Sequence, residues 1–378
     1  MAGGLRIDCV VGARPNFMKM APILRALRAE GGFAPRLLHT GQHYDPEMDG
    51  IFFEELGLPR PDIHLGVGRG SQTAQTARIM EGLEAAFAAD RPALVLVVGD
   101  VTSTLAGALV AVQLGLPLAH VEAGLRSGDR RMPEEINRLV TDRLSDLLFT
   151  TERAARARLE AEGVPRERIR FVGNVMIDTL TEALPRARPA AGTIAAHDDG
   201  GRFGSAARAG FGVVTLHRPA NVDDPARLAA LVQALEEVAE RLPLVWPLHP
   251  RTRARLDAAG LLPRLGRAEG LLATPPLGYL AMLGLLREAR AAITDSGGVQ
   301  EETTALGVPC LTLRDSTERP VTVTEGTNRL VGTDPAALAP ALACALGQGA
   351  PPARRPELWD GRAAIRVARA LREHLAAA

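Results

Sequence analysis

Short apolar runs alternate with longer amphipathic segments along most of the chain. The runs include RIDCVVGA (Arg6–Ala13), ALVLVVGD and LAHVEAG in the first half, and FGVVTLH, PLVWPLH and AAITDSG in the second. Between such runs, FMKMAPILRALRAE and DPARLAALVQALEEVAERL repeat apolar residues at helical spacing. Continuous apolar strands that alternate with helices are typical of a parallel sheet covered by helices on both faces. The pattern therefore predicts the α/β class.

The alternation is interrupted once, which predicts two domains. From about Pro185 to Gly212 the chain is rich in Ala, Gly, Arg, Pro and Asp, and we expect a helix end followed by a mobile surface loop. We predict two doubly wound, Rossmann-like domains, residues 1–178 and 179–360, with a ligand cleft between them. Residues 361–378 have the pattern of a helix that packs back on the first domain.

Composition narrows the range of partners. The 378 residues carry 44 basic and 44 acidic side chains, so no overall charge favours nucleic acid or an anionic membrane surface. Cys9, Cys310 and Cys344 lie far apart in mostly apolar sequence, which is typical of buried free thiols in a reducing compartment. No apolar run has the length of a signal peptide or a membrane span, so we expect a cytoplasmic protein.

One residue type is almost absent. Among the 44 basic residues the only lysine is Lys19, and all others are arginine. The excess of Arg, Ala, Gly and Pro indicates a coding bias that replaces lysine wherever arginine serves equally well. Either Lys19 survives by chance, or its position requires a compact ammonium that the wide arginine fork cannot replace.

Unusual polar residues stand where predicted strands end. In open α/β sheets, ligands bind at the carboxyl ends of the strands. The residues at these ends are Arg14, Lys19, Asp100, Glu122, His217, Arg218, His249, Ser296, Arg314 and Arg319. A single polar residue at a strand end is usually structural, but packing alone does not explain so many. We therefore predict one ligand site built from both halves of the chain.

The segment TDSGGVQEE (Thr294–Glu302) predicts a phosphate site. A Ser-Gly-Gly turn between a strand and a helix directs unpaired amides and the positive end of the helix dipole at one point. We place Glu301 and Glu302 in the first helical turn, where one carboxylate could reach a ribose diol. The motifs of tightly bound NAD, of P-loops and of zinc sites are absent from the sequence, and we predict neither cofactor nor metal.

Several long motifs are similar to those of one family. GARPNFMKMAP, TGQHYD, VVGDVTSTLAGAL, HVEAGLRSGD, PEEINR, VTLHR, TDSGGVQEE and RDSTERP occur in this order. Together they resemble the non-hydrolysing UDP-N-acetylglucosamine 2-epimerases over roughly residues 6–335. The resemblance implies a glycosyltransferase-B-like fold, a homodimer and interconversion of UDP-GlcNAc and UDP-ManNAc for surface polysaccharides. It also implies that UDP leaves C1 as a base removes the C2 proton, and that UDP then adds back to 2-acetamidoglucal.

The same resemblance assigns roles to individual residues. It implies acid/base roles for Asp100, Glu122 and Glu134, with His217 assisting near the diphosphate or the sugar. Lys19, also a catalytic candidate, would lie with Arg14 at the diphosphate side of the first domain. For UDP-sugar binding it implies Arg14, Arg138, His249, Ser296, Gly297, Gly298, Glu302 and Arg319. Gln42, His43 and Arg218 would belong to a regulatory site for a second UDP-GlcNAc. Pro219 stands where many members have another arginine, and the loop between Asp129 and Pro133 is short, so we do not expect allosteric activation.

Four alternatives remain open from the sequence. Relatives acting on UDP-2,3-diacetamido sugar uronates share the proline at position 219 and the short loop, although the ERP tripeptide favours plain UDP-GlcNAc. A glycosyltransferase of the same fold would need an acceptor site and fewer carboxylates around C2. A nucleotide-sugar-binding regulator would not need three candidate acids and bases. A hydrolysing epimerase would release UDP and free ManNAc, and no sequence resembling a fused kinase domain follows.

Overall fold

The chain is organised in two compact units. The computed structural model describes residues 4–42, 46–347 and 355–377, with the backbone alone for 46–49 and 377. The first unit comprises Met1–Glu182 and Glu357–Ala378, and the second comprises Ala183–Pro356. The first unit thus runs to Glu182, beyond the predicted end at Asp178, and the chain returns to it at Glu357 rather than Gly361.

A seven-stranded parallel sheet forms the centre of the described part of the first unit, in the order β3-β2-β1-β4-β5-β6-β7. Its strands are β1 (Leu5–Val11), β2 (Phe33–His39), β3 (Ile63–His64), β4 (Leu94–Val98), β5 (Leu118–Ala123), β6 (Leu147–Thr150) and β7 (Ile169–Phe171). Every residue of β4, β5 and β6 is buried. Such burial requires helices on both faces of the sheet, because no side chain of these strands can then face water.

Helices connect the strands of this sheet. They are α1 (Arg14–Glu30), α2 (Pro46–Leu56), α3 (Gln72–Ala89), α4 (Thr102–Gln113), α5 (Pro133–Leu144), α6 (Arg153–Ala161) and α7 (Val175–Ala183), with a 3₁₀ turn at Arg166–Arg168. The start of α1 is fixed by Asn16, whose Oδ1 accepts the amides of Gly12 (3.1 Å) and Ala13 (3.3 Å). Asn16 Nδ2 donates to the carbonyl of Val98 (3.0 Å), which ties this turn to the end of β4.

The second unit contains a parallel sheet of six strands within its described residues, in the order β10-β9-β8-β11-β12-β13. The strands are β8 (Gly212–Thr215), β9 (Leu244–Pro247), β10 (Leu271–Thr274), β11 (Ala291–Thr294), β12 (Cys310–Thr312) and β13 (Asn328–Leu330). The order matches that of the first six strands of the first unit. The predicted α/β class and the pair of doubly wound sheets are confirmed.

Ten helices between Ala190 and Gly347 cover this sheet. They are α8 (Ala190–Ala195), α9 (Arg202–Ala206), α10 (Pro219–Val222), α11 (Pro225–Ala239), α12 (Pro250–Ala258), α13 (Leu262–Leu265), α14 (Tyr279–Glu288), α15 (Gly297–Leu306), α16 (Val321–Thr324) and α17 (Leu338–Gly347). Short 3₁₀ turns occur at Leu184–Arg186, Ala207–Ala209 and Pro335–Ala337. The core beneath α11 and α17 includes Trp246, which is completely buried.

The C-terminal helix α18 (Ala363–Ala377) lies against α1 in the first unit. Its first turn is held by the Asp178 carboxylate, which accepts the amides of Ala363 (3.0 Å) and Ala364 (2.7 Å). Just before the helix, the indole of Trp359 donates to the carbonyl of Thr151 (3.2 Å). These contacts fix the last segment of the chain on the first unit.

The expectation of a mobile loop between Pro185 and Gly212 is wrong. This segment contains the short helices α8 and α9, and Ala190, Ile194 and Phe203 are buried in an apolar cluster of the second unit. Its helices span six and five residues, too few for a periodic pattern to be visible in the sequence. Burial of three apolar side chains outweighs the weak local preference of an Ala- and Gly-rich segment.

Two further expectations concern the cysteines and the membrane. Cys9 and Cys310 are buried free thiols, whereas Cys344 is only half-buried, so the prediction holds for two of the three. Across the described ranges, no helix combines the length and the apolar character needed to cross a membrane.

Candidate functional site

The strand order of each sheet reverses direction between two neighbouring strands. In the first unit this happens between β1 and β4, and in the second between β8 and β11. At such a position the loops after the two strands diverge, which leaves a crevice at the carboxyl ends. Most of the predicted site residues follow these four strands or their immediate neighbours.

A buried ion pair lies at the carboxyl edge of the first sheet. The ammonium of Lys19 on α1 contacts Oε2 of Glu122 on β5, and their side chains are 7% and 5% exposed. Gly99, after β4, has φ +70°, and a Cβ there would lie 3.2 Å from Lys19 Nζ and 3.6 Å from Glu122 Oε2. The pair therefore lies close to the Gly99 backbone, and a side chain at position 99 would contact both charged groups.

Glu122 has an unusual backbone conformation. Its φ is +72°, in the left-handed region that costs a non-glycine residue roughly 1–3 kcal/mol. The register of β5 against β6 shifts between Val121 and Ala123, so Glu122 forms a bulge at the strand end. Bulges of this kind redirect one side chain, and here the redirected group is the carboxylate that contacts Lys19.

Asp100 is held by a second set of contacts. Its carboxylate contacts the guanidinium of Arg138, and its carbonyl accepts Asn137 Nδ2 (2.7 Å). Arg138 is buried and also donates to Glu135 (2.8 Å). Arg138, predicted to bind substrate, is thus placed to orient Asp100, whose side chain is 27% exposed.

The two neighbouring glutamates of PEEINR have different surroundings. Glu135 is buried and accepts the amides of Ser127 (2.8 Å) and Gly128 (3.0 Å). Burial opposes its ionisation, but these amides and Arg138 lower the pKa of the Glu135 carboxyl below its ordinary value. Glu134, the predicted acid/base residue, is exposed in the first turn of α5. Of the two, Glu134 is therefore the one accessible to a ligand.

The other predicted residues of the first unit have separate environments. Arg14 lies over the ring of Phe52, 5.7 Å from its centroid. Gln42, assigned to a regulatory site, is buried, and its Oε1 accepts the amide (3.0 Å) and the hydroxyl (2.8 Å) of Ser103. His43, assigned to the same site, lies outside the described residues. The contacts of Gln42 are those of a structural residue that joins the ends of β2 and β4.

The carboxylate of Asp295 organises the crevice of the second unit. It is completely buried, and it accepts the amides of His217 (3.0 Å) and Arg218 (2.9 Å) and the side-chain amide of Asn221 (3.0 Å). His217 Nδ1 lies 3.1 Å from Asp295 Oδ1, and the His217 side chain is 38% exposed. Burial opposes ionisation, but the interaction with His217 and the hydrogen bonds from Asn221 and the Arg218 amide lower the pKa of Asp295. The sequence interpretation missed Asp295, although it stands inside TDSGG directly after a predicted strand.

Three arginines surround a buried glutamate in the same crevice. Glu318 lies 2.7 Å from Arg314, 3.3 Å from Arg319 and 3.4 Å from Arg218. Although burial opposes ionisation, the charges of Arg319 and Arg314 hold the pKa of Glu318 well below its usual range. Arg319 Nε also lies 2.6 Å from Glu301. The guanidinium groups are therefore held in fixed orientations, which suits an anion site because little ordering remains to be done on binding.

The predicted phosphate turn begins helix α15. Ser296 is the N-cap residue and Gly297 and Gly298 are half-buried. A Cβ at Gly297 would lie 3.0 Å from Glu318 Oε1 and 3.2 Å from Arg319 Nη1, so the glycine allows the helix start to approach the arginine cluster. The first amides of a helix have no partner within the helix and favour an anion.

The two glutamates of α15 lie in its second turn rather than its first, because the helix begins at Gly297. Glu301 contacts Arg319, and Glu302 is buried beside the hydroxyl of Tyr279. Burial raises the pKa of Glu302 to about 8, an effect that Tyr279 opposes and the charge of Glu301 increases. His249 is exposed and caps α12, where its Nδ1 accepts the Arg251 amide (3.2 Å).

The described side chains of the two crevices support different chemistry. The first offers carboxylates and one ammonium, which can remove and return protons. The second offers arginines and a helix start, which can bind a phosphate and stabilise it as a leaving group. Among the described residues no group of three His, Cys, Asp or Glu side chains has the geometry of a metal site.

Comparison with known proteins gives consistent matches over most of the chain. Residues 25–372 match the family model described as UDP-N-acetylglucosamine 2-epimerase. A UDP-2,3-diacetamido-2,3-dideoxy-D-glucuronate 2-epimerase of Pseudomonas aeruginosa is 43% identical over 331 residues, which are 87% of this chain and 88% of that protein. A UDP-N-acetylglucosamine 2-epimerase of Methanococcus maripaludis is 40% identical over 334 residues, with coverage of 87% and 88%.

A solved structure is similar along nearly the whole length. The crystal structure of Methanocaldococcus jannaschii UDP-GlcNAc 2-epimerase in complex with UDP-GlcNAc and UDP has a TM-score of 0.87 and 39% sequence identity. The match covers 98% of this chain and 100% of that one. The shared fold therefore includes both Rossmann-like units.

Proposed function

The chain belongs to the UDP-N-acetylglucosamine 2-epimerase family, and we propose that it interconverts UDP-N-acetylglucosamine and UDP-N-acetylmannosamine. The observation that carries this proposal is the buried Lys19–Glu122 pair, packed on the residue that precedes Asp100. A glycosyltransferase needs an activated acceptor and a stabilised leaving group, whereas inversion at C2 needs proton transfer at a carbon atom. Carboxylates held at fixed positions by buried cations are suited to the second task.

The proposed reaction is an elimination followed by an addition. A carboxylate of the set Asp100, Glu122 and Glu134 removes the proton from C2. The C2–H electron pair forms the C1–C2 double bond, and the C1–O bond breaks to release UDP and 2-acetamidoglucal. A proton then reaches the opposite face of C2, and UDP adds back to C1. The two steps together conserve all atoms and electrons, so no external oxidant or reductant is needed.

The second unit supplies the groups that would retain UDP during this sequence. Arg319, Ser296 and the Gly297–Gly298 helix start suit the diphosphate, and His217, oriented by Asp295, can donate a hydrogen bond to it or to the sugar. Glu302, on the same helix, is assigned to the ribose hydroxyls in this proposal. Arg14 and His249 remain proposed contacts to the nucleotide sugar, and the homodimer remains a prediction.

Incubation of the protein with UDP-GlcNAc in D₂O, without added NAD or metal, tests the reaction. Proton exchange at C2 should place deuterium at C2 of both UDP-GlcNAc and UDP-ManNAc, as measured by NMR and mass spectrometry. Epimerisation with hydrogen retained at C2 would contradict the elimination mechanism. Failure to form UDP-ManNAc at all would contradict the proposed substrate.

A second substrate has support from one observation. The Pseudomonas relative with 43% identity is named for UDP-2,3-diacetamido-2,3-dideoxy-D-glucuronate, which differs from UDP-GlcNAc at C3 and C6. Comparison of kcat/KM for the two nucleotide sugars separates the candidates. We expect the larger value for UDP-GlcNAc, because the ERP tripeptide (Glu318–Pro320) is retained. A larger value for the uronate would assign the chain to the second activity.

A further inference from the structure

His120 and Asp142 form a buried pair beneath the carboxylates of the first unit. His120 lies on β5, two residues before Glu122, and Asp142 lies on α5; their exposed fractions are 0% and 2%. His120 Nδ1 is 2.7 Å from Asp142 Oδ1, and His120 Nε2 is 2.8 Å from the carbonyl oxygen of Gly99. Both ring nitrogens therefore have close partners at hydrogen-bond distance.

The partners determine how the ring must be protonated. A carbonyl oxygen only accepts, so Nε2 must carry a hydrogen for the bond to Gly99. Asp142 Oδ2 already accepts the Gly124 amide (3.0 Å) and Arg126 Nη1 (2.6 Å), as an ionised carboxylate does. Although burial opposes ionisation, His120 and Arg126 lower the pKa of Asp142. An ionised Asp142 Oδ1 can only accept, so the 2.7 Å contact fits a hydrogen on Nδ1 as well.

The pair is joined to both turns that carry candidate acids and bases. Through Gly99, whose amide also donates to the Val121 carbonyl (3.0 Å), it fixes the residue before Asp100. Through Gly124 it fixes the residue two positions after Glu122. Glu122 lies between the two turns and has positive φ, a conformation that costs a non-glycine residue free energy and needs support from neighbouring groups.

Few other charged groups contact the pair. Arg126, in the segment after β5, contacts Asp142 and is itself held by Glu162 at 3.0 and 2.6 Å. From β4 the contact is a backbone carbonyl, and from α5 it is Asp142 itself. Lys19 and Glu122 also lie close to Gly99, so they are the other charged pair near this turn.

We propose that His120 and Asp142 are a charged positioning pair, which holds the Gly99–Asp100 and Glu122–Gly124 turns in register and keeps a positive charge beneath the reacting carboxylates. This role rests on the proposed epimerase function. A neutral side chain of similar size could fill the space, but it could not donate two hydrogen bonds from the ring positions and carry the charge.

The charge state has a test that does not depend on activity. In ¹⁵N-labelled protein at pH 8, the imidazole spectrum should show one histidine ring protonated at both nitrogens, and this signal should disappear in His120→Gln. In Asp142→Asn the ring should become neutral at the same pH. A neutral His120 ring in the wild-type protein at pH 8 would overturn the proposal.

The positioning role is tested by kinetics of the same variants with UDP-GlcNAc. Misplacement of catalytic groups by about 1 Å can cost on the order of 100-fold, so we expect a 10- to 100-fold lower kcat in His120→Gln, with KM within about twofold. Loss of the positive charge should also move the acid limb of the kcat profile to higher pH. An unchanged kcat and pH profile in a folded variant would contradict the role.

Asp146→Asn is the matched control. Asp146 accepts the Leu118 amide (3.0 Å) at the opposite end of β5, so its removal also costs a carboxylate–backbone bond on this strand. We expect a lower melting temperature with an unchanged pH profile. A similar shift of the kcat–pH profile in this control would show that the His120–Asp142 pair has only a structural role. If the wild-type protein has no epimerase activity, the proposed function fails, while the imidazole spectrum still decides the charge state.

Discussion

The two units have the same order in their first six strands, but the charged groups that follow these strands differ. In the first unit, carboxylates of Asp100 and Glu122 are each held by one buried cation, Arg138 and Lys19. In the second, arginines surround Glu318, and a helix start adjoins them. The comparison teaches that the fold fixes where ligand groups stand, whereas the residues after each strand decide which charge is presented.

In each unit, buried charges of opposite sign hold one another in place. Lys19 and Arg138 are nearly inaccessible, so in the first unit the cations position the carboxylates. Glu318 and Glu301 are equally buried in the second unit, so there the carboxylates position the arginines. Removal of one partner from such a buried pair leaves an uncompensated charge. A variant that disturbs the orientation of these groups therefore also lowers the stability of the fold at both sites.

The largest effect should come from the carboxylate in the strained conformation. Glu122→Gln keeps the shape and removes the proton acceptor, so we expect kcat to fall by about 10³-fold, within the range of general acid–base catalysis. UDP affinity, measured by calorimetry, should change by less than about threefold if the second unit provides most nucleotide contacts. Glu84→Gln, on the exposed side of α3, is the control and should match the wild type in both measurements.

This result separates the roles of the two units. A loss of UDP affinity as large as the loss of kcat would show that Glu122 binds the nucleotide, and the division into proton chemistry and nucleotide binding would be wrong.

The next largest effect should follow from exchanging the single lysine. Lys19→Arg retains the positive charge, but it places a wider, planar guanidinium in a buried position beside Glu122 and close to Gly99. Displacement of Glu122 should lower kcat by about 100-fold. Arg28→Lys, an exposed exchange of the same residue types near the end of α1, should have no effect. Full activity of Lys19→Arg would mean that the lone lysine is a chance survival.

The sequence predicts the fold better than the site because the two depend on different ranges of interaction. Apolar runs such as ALVLVVGD report burial of whole strands, and the strand ends follow directly. The roles of Asp295, Asn16 and His120 depend on partners from other elements, such as Arg218, Val98 and Asp142. Spacing along the chain carries no signal for such contacts. The motif led us to assign the acid/base role to Glu134 rather than Glu135, but it could not show that Glu135 is buried against Ser127 and Gly128.

A moderate effect is expected at the helix start of the second unit. The methyl group in Gly297→Ala would lie 3.0 Å from Glu318 Oε1 and 3.2 Å from Arg319 Nη1, so the arginine must shift. Loss of one charge-assisted hydrogen bond to a phosphate predicts a UDP affinity weaker by about 10- to 30-fold. Gly192→Ala, which has no atom within 4 Å of the added methyl group, is the control. Unchanged UDP binding in Gly297→Ala would place the diphosphate elsewhere.

The smallest expected effect is a pH dependence. It distinguishes the units because a titrating group in the second unit should change UDP affinity, whereas one in the first unit should change kcat. Burial raises the pKa of Glu302 to about 8, so this carboxyl is mostly protonated at pH 7 before UDP binds. A ribose diol donates hydrogen bonds to a carboxylate, and binding therefore favours loss of the proton. UDP affinity should rise about eightfold between pH 7 and 8.5, because the competent ionised fraction increases by about that factor over the interval. Calorimetry in buffers of different ionisation enthalpy measures the released proton.

Two controls decide whether Glu302 is the source of this dependence. In Glu302→Gln the affinity should no longer vary over this pH range, since the side chain has no proton to lose. With 2′-deoxy-UDP the wild-type slope should shrink, because one hydroxyl donor is missing. If the slope persists in Glu302→Gln, another group titrates, and the ribose contact must be sought elsewhere in the second unit. If kcat rather than UDP affinity varies with pH, the titrating group is one of the carboxylates of the first unit. The assignment of this pH dependence to the second unit would then be wrong.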